Sequence, residues 1–256
     1  GINKAETKLG EYMLDSAVET LKTADMIMWI IEPSTYIGAG ERRIIELITK
    51  AKNLPLLLVI NKIDTCIDKS IDPENYLQND MLQKTFSLYG EAIKEEGGRS
   101  NFEKIAVSAT EALGLDALKN KIFDMLPEGP MYYDEDTVTD ETERQIVAEF
   151  IREKCLRNLD KEIPHGIAVV VDKMQERTAG SGQAITDIEA TIICEKESHK
   201  GIIIGKKGSM LKKIGIESRN SIEEMLYTKV NLKLWVKVRP DWRNKTSYMS
   251  EYGYKK

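Results

Sequence analysis

Residues 54–65 read Leu-Pro-Leu-Leu-Leu-Val-Ile-Asn-Lys-Ile-Asp-Thr. The apolar run 54–60 has the length and continuity of a strand covered on both faces, as in a parallel sheet. It runs straight into Asn-Lys-Ile-Asp. In open parallel sheets the loops at the carboxyl ends of the strands are where ligands bind. Guanine offers two adjacent donors, its ring N1–H and its exocyclic amino group, and one carboxylate accepts both. Asp64 suits that contact, which is charge-assisted and unsatisfied by adenine. Lys62 would lay its aliphatic stem along the base, and Asn61 would tie neighbouring loops together through its amide. A helix-capping Asp after an ordinary strand is the plain alternative, and four residues do not decide between them. A second piece adds weight: in Ile-Ala-Val-Ser-Ala-Thr-Glu-Ala-Leu-Gly, residues 105–114, Ser108 and Ala109 follow another short strand. They are expected to aim a backbone N–H at the guanine carbonyl oxygen.

Around these two pieces helical and strand patterns alternate. Apolar residues at Leu9, Tyr12, Met13, Ala17 and Leu21 predict a helix over 7–21, and residues 24–32, ADMIMWIIE, predict a buried strand. Further helices are expected over 41–51, around 80–96 and over 112–125, with a short strand in 103–109. This order predicts an α/β domain, a parallel sheet with helices on both faces. The stretch 127–142, PEGPMYYDEDTVTDET, has the prolines, glycine and acidic run of a linker. The expected organisation is therefore a first domain over 1–128, a linker over 129–142 and a second domain over 143–256. The second domain reads as a helix to about Leu159, strands in 166–177 and 184–197, the segment SHKGIIIGKKGSMLKKIG at 198–215, a helix over 217–227 and a strand in 230–240. That is an α+β order.

The formal net charge of −5 hides two opposite parts. Between Glu195 and Lys245 there are thirteen lysines and arginines against six carboxylates, a local +7 that leaves −12 for the rest. A polyanion would dock on that basic module. Cys66, Cys155 and Cys194 lie far apart, with only His165 and His199 to help bind a metal, so a reduced, cytoplasmic and metal-free protein is expected. The most apolar run, residues 26–31, is far shorter than the roughly 20 residues of a membrane helix. The opening GINKAETKLG has neither a signal-peptide pattern nor an initiator Met, and the sequence is expected to be a fragment.

Within the basic module, Gly205 and Gly208 bracket Lys206 and Lys207. Small residues let a nucleic-acid backbone come close, the two lysines would meet phosphates, and Lys212 and Lys213 extend the track. Ile202 and Ile203 are expected to floor the groove beneath the bases. A helix–helix turn with solvated lysines is the bland reading of the same residues. Trp235 and Trp242 could stack on bases; Trp235 is expected to pack, and Trp242 is left open.

Asn61, Lys62 and Asp64 with Ser108 and Ala109 resemble the base-reading motifs of the Ras-like GTPases of the translation-factor class. The helix–strand–strand–helix–GKKG–helix–strand order resembles a type II KH domain, whose GxxG loop clamps about four nucleotides of single-stranded RNA. Together, and through KAETKLGEYM, VINKID, GIIIGKKG, LKKIG and LWVKVRPDWR, almost the whole chain resembles the Era family of ribosome-assembly GTPases. The resemblance implies binding to the single-stranded 3′ region of small-subunit rRNA during maturation of the small ribosomal subunit, GTP or GDP with Mg²⁺ as cofactors, and peripheral association with the inner face of the cell membrane. The phosphate machinery departs from the pattern. No Gly-x4-Gly-Lys-Ser/Thr occurs; residues 201–207, the nearest look-alike, fail by spacing and by Lys207. Gly1 would be the last glycine of an Asp-x-x-Gly otherwise missing. No catalytic residue is expected here, and GTP binding is expected to be weak or absent, with hydrolysis belonging to a full-length parent. The competing reading is an RNA-binding protein that works without nucleotide on a degenerate G domain.

Overall fold

The computed structural model describes residues 7–51, 53–67, 73–98, 101–131, 133–134, 139, 141–160, 163–178, 180 and 182–254. Two compact units emerge, Gly10–Met131 and Tyr132–Lys256 with Thr7–Leu9.

In the first unit the elements run α1 (Lys8–Thr20), β1 (Ile27–Ile31), α2 (Ala39–Lys50), β2 (Leu56–Ile60), α3 (Asp80–Glu95), β3 (Glu103–Ala106) and α4 (Leu115–Met125). The strands pair in the order β1-β2-β3, all parallel, with Ile27 opposite Leu56 and Leu57 opposite Glu103. Every residue of β2 is buried, as its unbroken apolar run required. Leu56, Leu58 and Ile60 pack with Trp29, Ile45, Phe86, Tyr89 and Ile93 on one face; Leu57 and Val59 pack with Val107 and α4 on the other. Tyr89 donates its hydroxyl to Glu41, whose second carboxylate oxygen accepts from the Gly38 N–H at 2.6 Å. Burial and the Glu41 carboxylate push the Tyr89 phenol well above its usual range.

Two expectations change. The strand in 24–32 is covered on one face only, for Met28 and Ile30 point away from the core and are 44% and 52% exposed. The last helix starts at Leu115 instead of Ala112, because Ala112 and Gly114 hold positive φ (54° and 71°) and close a turn there.

The second unit comprises α5 (Glu143–Asn158), β4 (Ala168–Thr178), β5 (Ala184–Cys194), α6 (Glu197–Ile204), α7 (Ser209–Leu226), β6 (Lys229–Val238) and α8 (Thr246–Glu251). Thr142 caps α5 in a box with Gln145. The sheet order is β4-β5-β6, antiparallel then parallel, with a bulge between Val171 and Lys173. One face packs Ile188, Ala190 and Ile192 against Val147, Ile151, Cys155, Ile203, Ile214 and Ile222 from the helices. On the opposite face Ala168 and Ile193 meet Trp242, which is fully buried, donates Nε1–H to the Gly166 carbonyl at 3.0 Å and lies against Tyr252 and Tyr254. Trp242 is thus a structural anchor. The helix expected over 217–227 begins at Ser209: Ile214, Ser218 and Ile222 form one buried stripe that carries it through Gly215.

Candidate functional site

The guanine-reading residues meet at the carboxyl ends of β2 and β3. Asn61 leaves β2 with its N–H on the Ile31 carbonyl at 2.8 Å, so the β1–β2 ladder sets its position. Its side-chain Oδ1 accepts from the Lys62 N–H at 2.8 Å and the Ala109 N–H at 3.0 Å. Lys62 sits in the left-handed region (φ 61°, ψ 34°), held there as Thr65 Oγ1 donates to its carbonyl at 2.7 Å. Its ammonium is ion-paired to Glu32, just past β1. Ser108 Oγ donates to Asp64 Oδ1 at 2.5 Å and accepts from the Glu111 N–H at 3.3 Å. The two loops are therefore one bonded unit, with Asp64 half-buried at the loop surface. Burial, then the Asp64 carboxylate, pushes the nearby Cys66 thiol up.

Two backbone donors differ from expectation. The Ser108 N–H is held by the Leu113 carbonyl at 3.0 Å, and the Ala109 N–H by Asn61. A guanine carbonyl would compete with Asn61 for the latter. Glu32, Thr65 and Leu113 complete the arrangement, and neither their type nor their spacing marks them in sequence. Gly1 lies outside the described residues. Among the described residues no group of His, Cys, Asp or Glu could hold a metal ion, and no helix is long and apolar enough to cross a membrane.

The basic site is built around the turn between α6 and α7. Gly205 ends α6 with its N–H on the Gly201 carbonyl at 2.9 Å and takes φ 71°, ψ 174°, a conformation nearly confined to glycine. Lys207 is left-handed (φ 51°), and Gly208 (φ 79°) starts α7. Lys206 and Lys207 are exposed at the tip. From Gly208 a groove of about 420 Å³ runs between α7 and β6, lined by Leu211, Lys212, Gly215, Ile216, Arg219, Asn231 and Leu234 among others. Gly215 keeps the wall low: a Cβ there would meet Leu234 Cδ1 at 3.6 Å. Lys213 turns toward Glu217, 3.9 Å away.

Of the isoleucine pair expected beneath the bases, Ile202 is 49% exposed, but Ile203 is fully buried in the core and cannot floor a groove. The floor is supplied by α7 and β6 instead. The steps from Gly208 through Leu211 and Lys212 to Gly215 and Arg219 follow one helical face, the signal from which these residues could have been found. Trp235, expected to pack, faces outward with 46% of its surface exposed.

Comparison with known proteins fits this geometry. Residues 162–243 match the KH domain family. The GTPase Era of Thermoanaerobacter sp. (strain X514) is 44% identical over 254 residues, 99% of this chain and 77% of that protein. The GTPase Era of Ruminiclostridium cellulolyticum is 43% identical over 256 residues, 100% and 78% of the two chains. Two solved structures superpose with a TM-score of 0.82 at 33% identity, covering 99% of this chain and 79% of theirs: a single-substitution variant of Aquifex aeolicus Era bound to GDP·AlF4⁻, and Era in complex with MgGDPNP and nucleotides 1506–1542 of 16S ribosomal RNA. With a bonded Asn-Lys-x-Asp loop, a glycine-bracketed lysine turn over a groove, and relatives at this identity over nearly the whole chain, the chain belongs to the Era family of GTPases.

Proposed function

We propose that this chain acts in assembly of the small ribosomal subunit, holding the single-stranded 3′ region of small-subunit rRNA in the groove between α7 and β6 and reading a guanine nucleotide at Asn61, Lys62, Asp64, Ser108 and Ala109. The observation that carries the reading is the groove that opens at Gly208, with Lys206, Lys207 and Lys212 at its mouth and apolar Leu211, Ile216 and Leu234 along it. Cations meet phosphates at the entrance while apolar surface lies beneath bases, the division of labour of a KH domain. The related Era held with a 16S rRNA segment supports the same partner. Related Era structures carry GDP·AlF4⁻ or MgGDPNP, and the loop 61–64 is the part of this chain fitted to such a ligand. Phosphoryl transfer depends on phosphate-cradling amides and a metal, and the sequence has no P-loop motif to supply them. By itself the chain therefore binds GTP or GDP weakly and turns over neither. The same reading makes it a cytoplasmic protein, working where subunits are assembled.

The test is binding of this chain, without nucleotide, to nucleotides 1506–1542 of 16S rRNA, over a range of salt and with Gly208→Asp alongside. Binding that weakens with salt, as phosphate contacts require, and disappears in the variant is expected. Equal binding by Gly208→Asp would sink the groove assignment. Mg²⁺-dependent GTP turnover by the purified chain would overturn the nucleotide part.

A further inference from the structure

β6 is an edge strand with two different faces. Val230, Leu232, Leu234 and Val236 point to the helices, and Leu232 and Leu234 also line the groove. Lys229, Asn231, Lys233, Trp235 and Lys237 point the other way, onto the open face of the sheet, and all five are exposed. Successive members are about 6–7 Å apart along the strand. Between Lys229 and Val238 there are four cationic or aromatic side chains on this face and no carboxylate. Lys229 pairs with Glu223 of α7 at 3.3 Å and Lys233 with Glu189 of β5 at 3.4 Å, exposed pairs of small worth, while Asp187 of β5 is engaged by Arg177 at 2.6 Å and Asn231 at 2.8 Å. Across from Trp235 lies Thr191, whose hydroxyl donates to Asp172 at 2.7 Å. Lys237 has no carboxylate partner among the described residues. The C-terminal segment covers Ala168 and Ile193 at one end of this face and leaves Trp235 nearly half exposed.

We propose that this open face, Trp235 between Lys233 and Lys237, is a second contact for single-stranded RNA, taking the strand as it leaves the groove and passes over the β6 edge. The inference rests on the groove reading and extends it. An indole with nearly half its surface in water offers a stacking plane, which any base accepts because every base has a π-face. The lysines on either side supply the phosphate-facing charge, and Trp235 becomes the pivot around which the strand turns. Nothing in the arrangement reads a base edge, so the contact lengthens the binding site without adding sequence preference.

The test uses two RNAs from the 3′ end of small-subunit rRNA: one of about four nucleotides, enough for a GxxG groove, and one about three times longer. The other two tryptophans, Trp29 and Trp242, are 6% and 0% exposed, so iodide-quenchable fluorescence reports Trp235. The longer RNA is expected to quench it and shield it from iodide; the short one is not. Trp235→Ala should weaken the longer RNA about tenfold or more, as loss of one stacked base does. It should leave the short RNA unchanged, with Trp235→Phe restoring most of the loss. Lys237→Ala should lower the salt slope for the longer RNA by about one. If Trp235→Ala and Lys237→Ala bind the longer RNA like the unchanged chain while Gly208→Asp loses it, the second contact is refuted and the groove stands. If Gly208→Asp binds as well as the unchanged chain, the groove reading falls and this inference with it.

Discussion

Gly205 and Gly208 look equivalent in the motif and are not equivalent in space. A Cβ on Gly205 would stand 2.8 Å from both Cβ and N of Met210, at a φ and ψ almost closed to other residues; one on Gly208 would meet nothing within 4 Å. Gly208→Ala is therefore expected to cost about 1 kcal/mol of left-handed strain, whereas Gly205→Ala should cost more than about 2 kcal/mol and displace the start of α7. Denaturant unfolding of the two variants checks the difference. A second single-residue effect is electrostatic. Burial pushes the Cys155 thiol up to about 12, against the opposing pull of Arg152. Below the ordinary thiol value of about 8.5 the group is neutral folded or unfolded, and its contribution is complete. As pH rises from there toward 12 the unfolded chain ionises first, so stability is lost progressively. Thermal unfolding between about pH 8 and pH 11 should fall less steeply in Cys155→Ala than in the unchanged chain, the lysines being common to both.

β1 shows what an unbroken apolar run conceals. Ile27, Trp29 and Ile31 face a core, but Met28 and Ile30 stand out from a strand at the margin of its sheet, a template for pairing with another chain. Met28→Lys with Ile30→Thr should leave the unfolding midpoint nearly unchanged and reduce concentration-dependent association, as light scattering would show; more association would contradict this. The sequence carried β2 well, because residues 54–60 are apolar throughout and Pro55 alone trims the start. It carried the order of the second unit and the lysine turn for similar reasons. It did not separate Ile202 from Ile203, since three consecutive isoleucines have no period, and only packing against Ile188 and its neighbours says which one is inside. The helix expected over 217–227 falls short of α7 because Gly215 and two lysines read as loop, while the stripe Ile214, Ser218 and Ile222 overrides that local preference. The bond from Asn61 to the Ala109 N–H joins residues 48 apart in sequence and could be seen only once β2 and β3 were paired.

Each unit owns a core: β2 is sandwiched within the first, and the inward residues Ile188, Ala190 and Ile192 of β5 within the second. The second should unfold cooperatively when expressed alone from Glu141, with a midpoint close to its value in the whole chain. Its amides in β5 should exchange more slowly than those of β1, which has one covered face; equal protection of the two strands would count against this. The parallel pairing of β5 with β6 has a further consequence. Unlike the β4–β5 hairpin, it is joined by a long crossover, residues 195–228, and that crossover contains the lysine turn and all of α7. Closing so long a connection is slow compared with forming a local hairpin. The groove has α7 as one bank and β6 as the other, so during refolding it exists only after that distant ladder has zipped. A chain that has formed only its hairpin has no second bank to offer, so an RNA ligand draws on the finished domain alone.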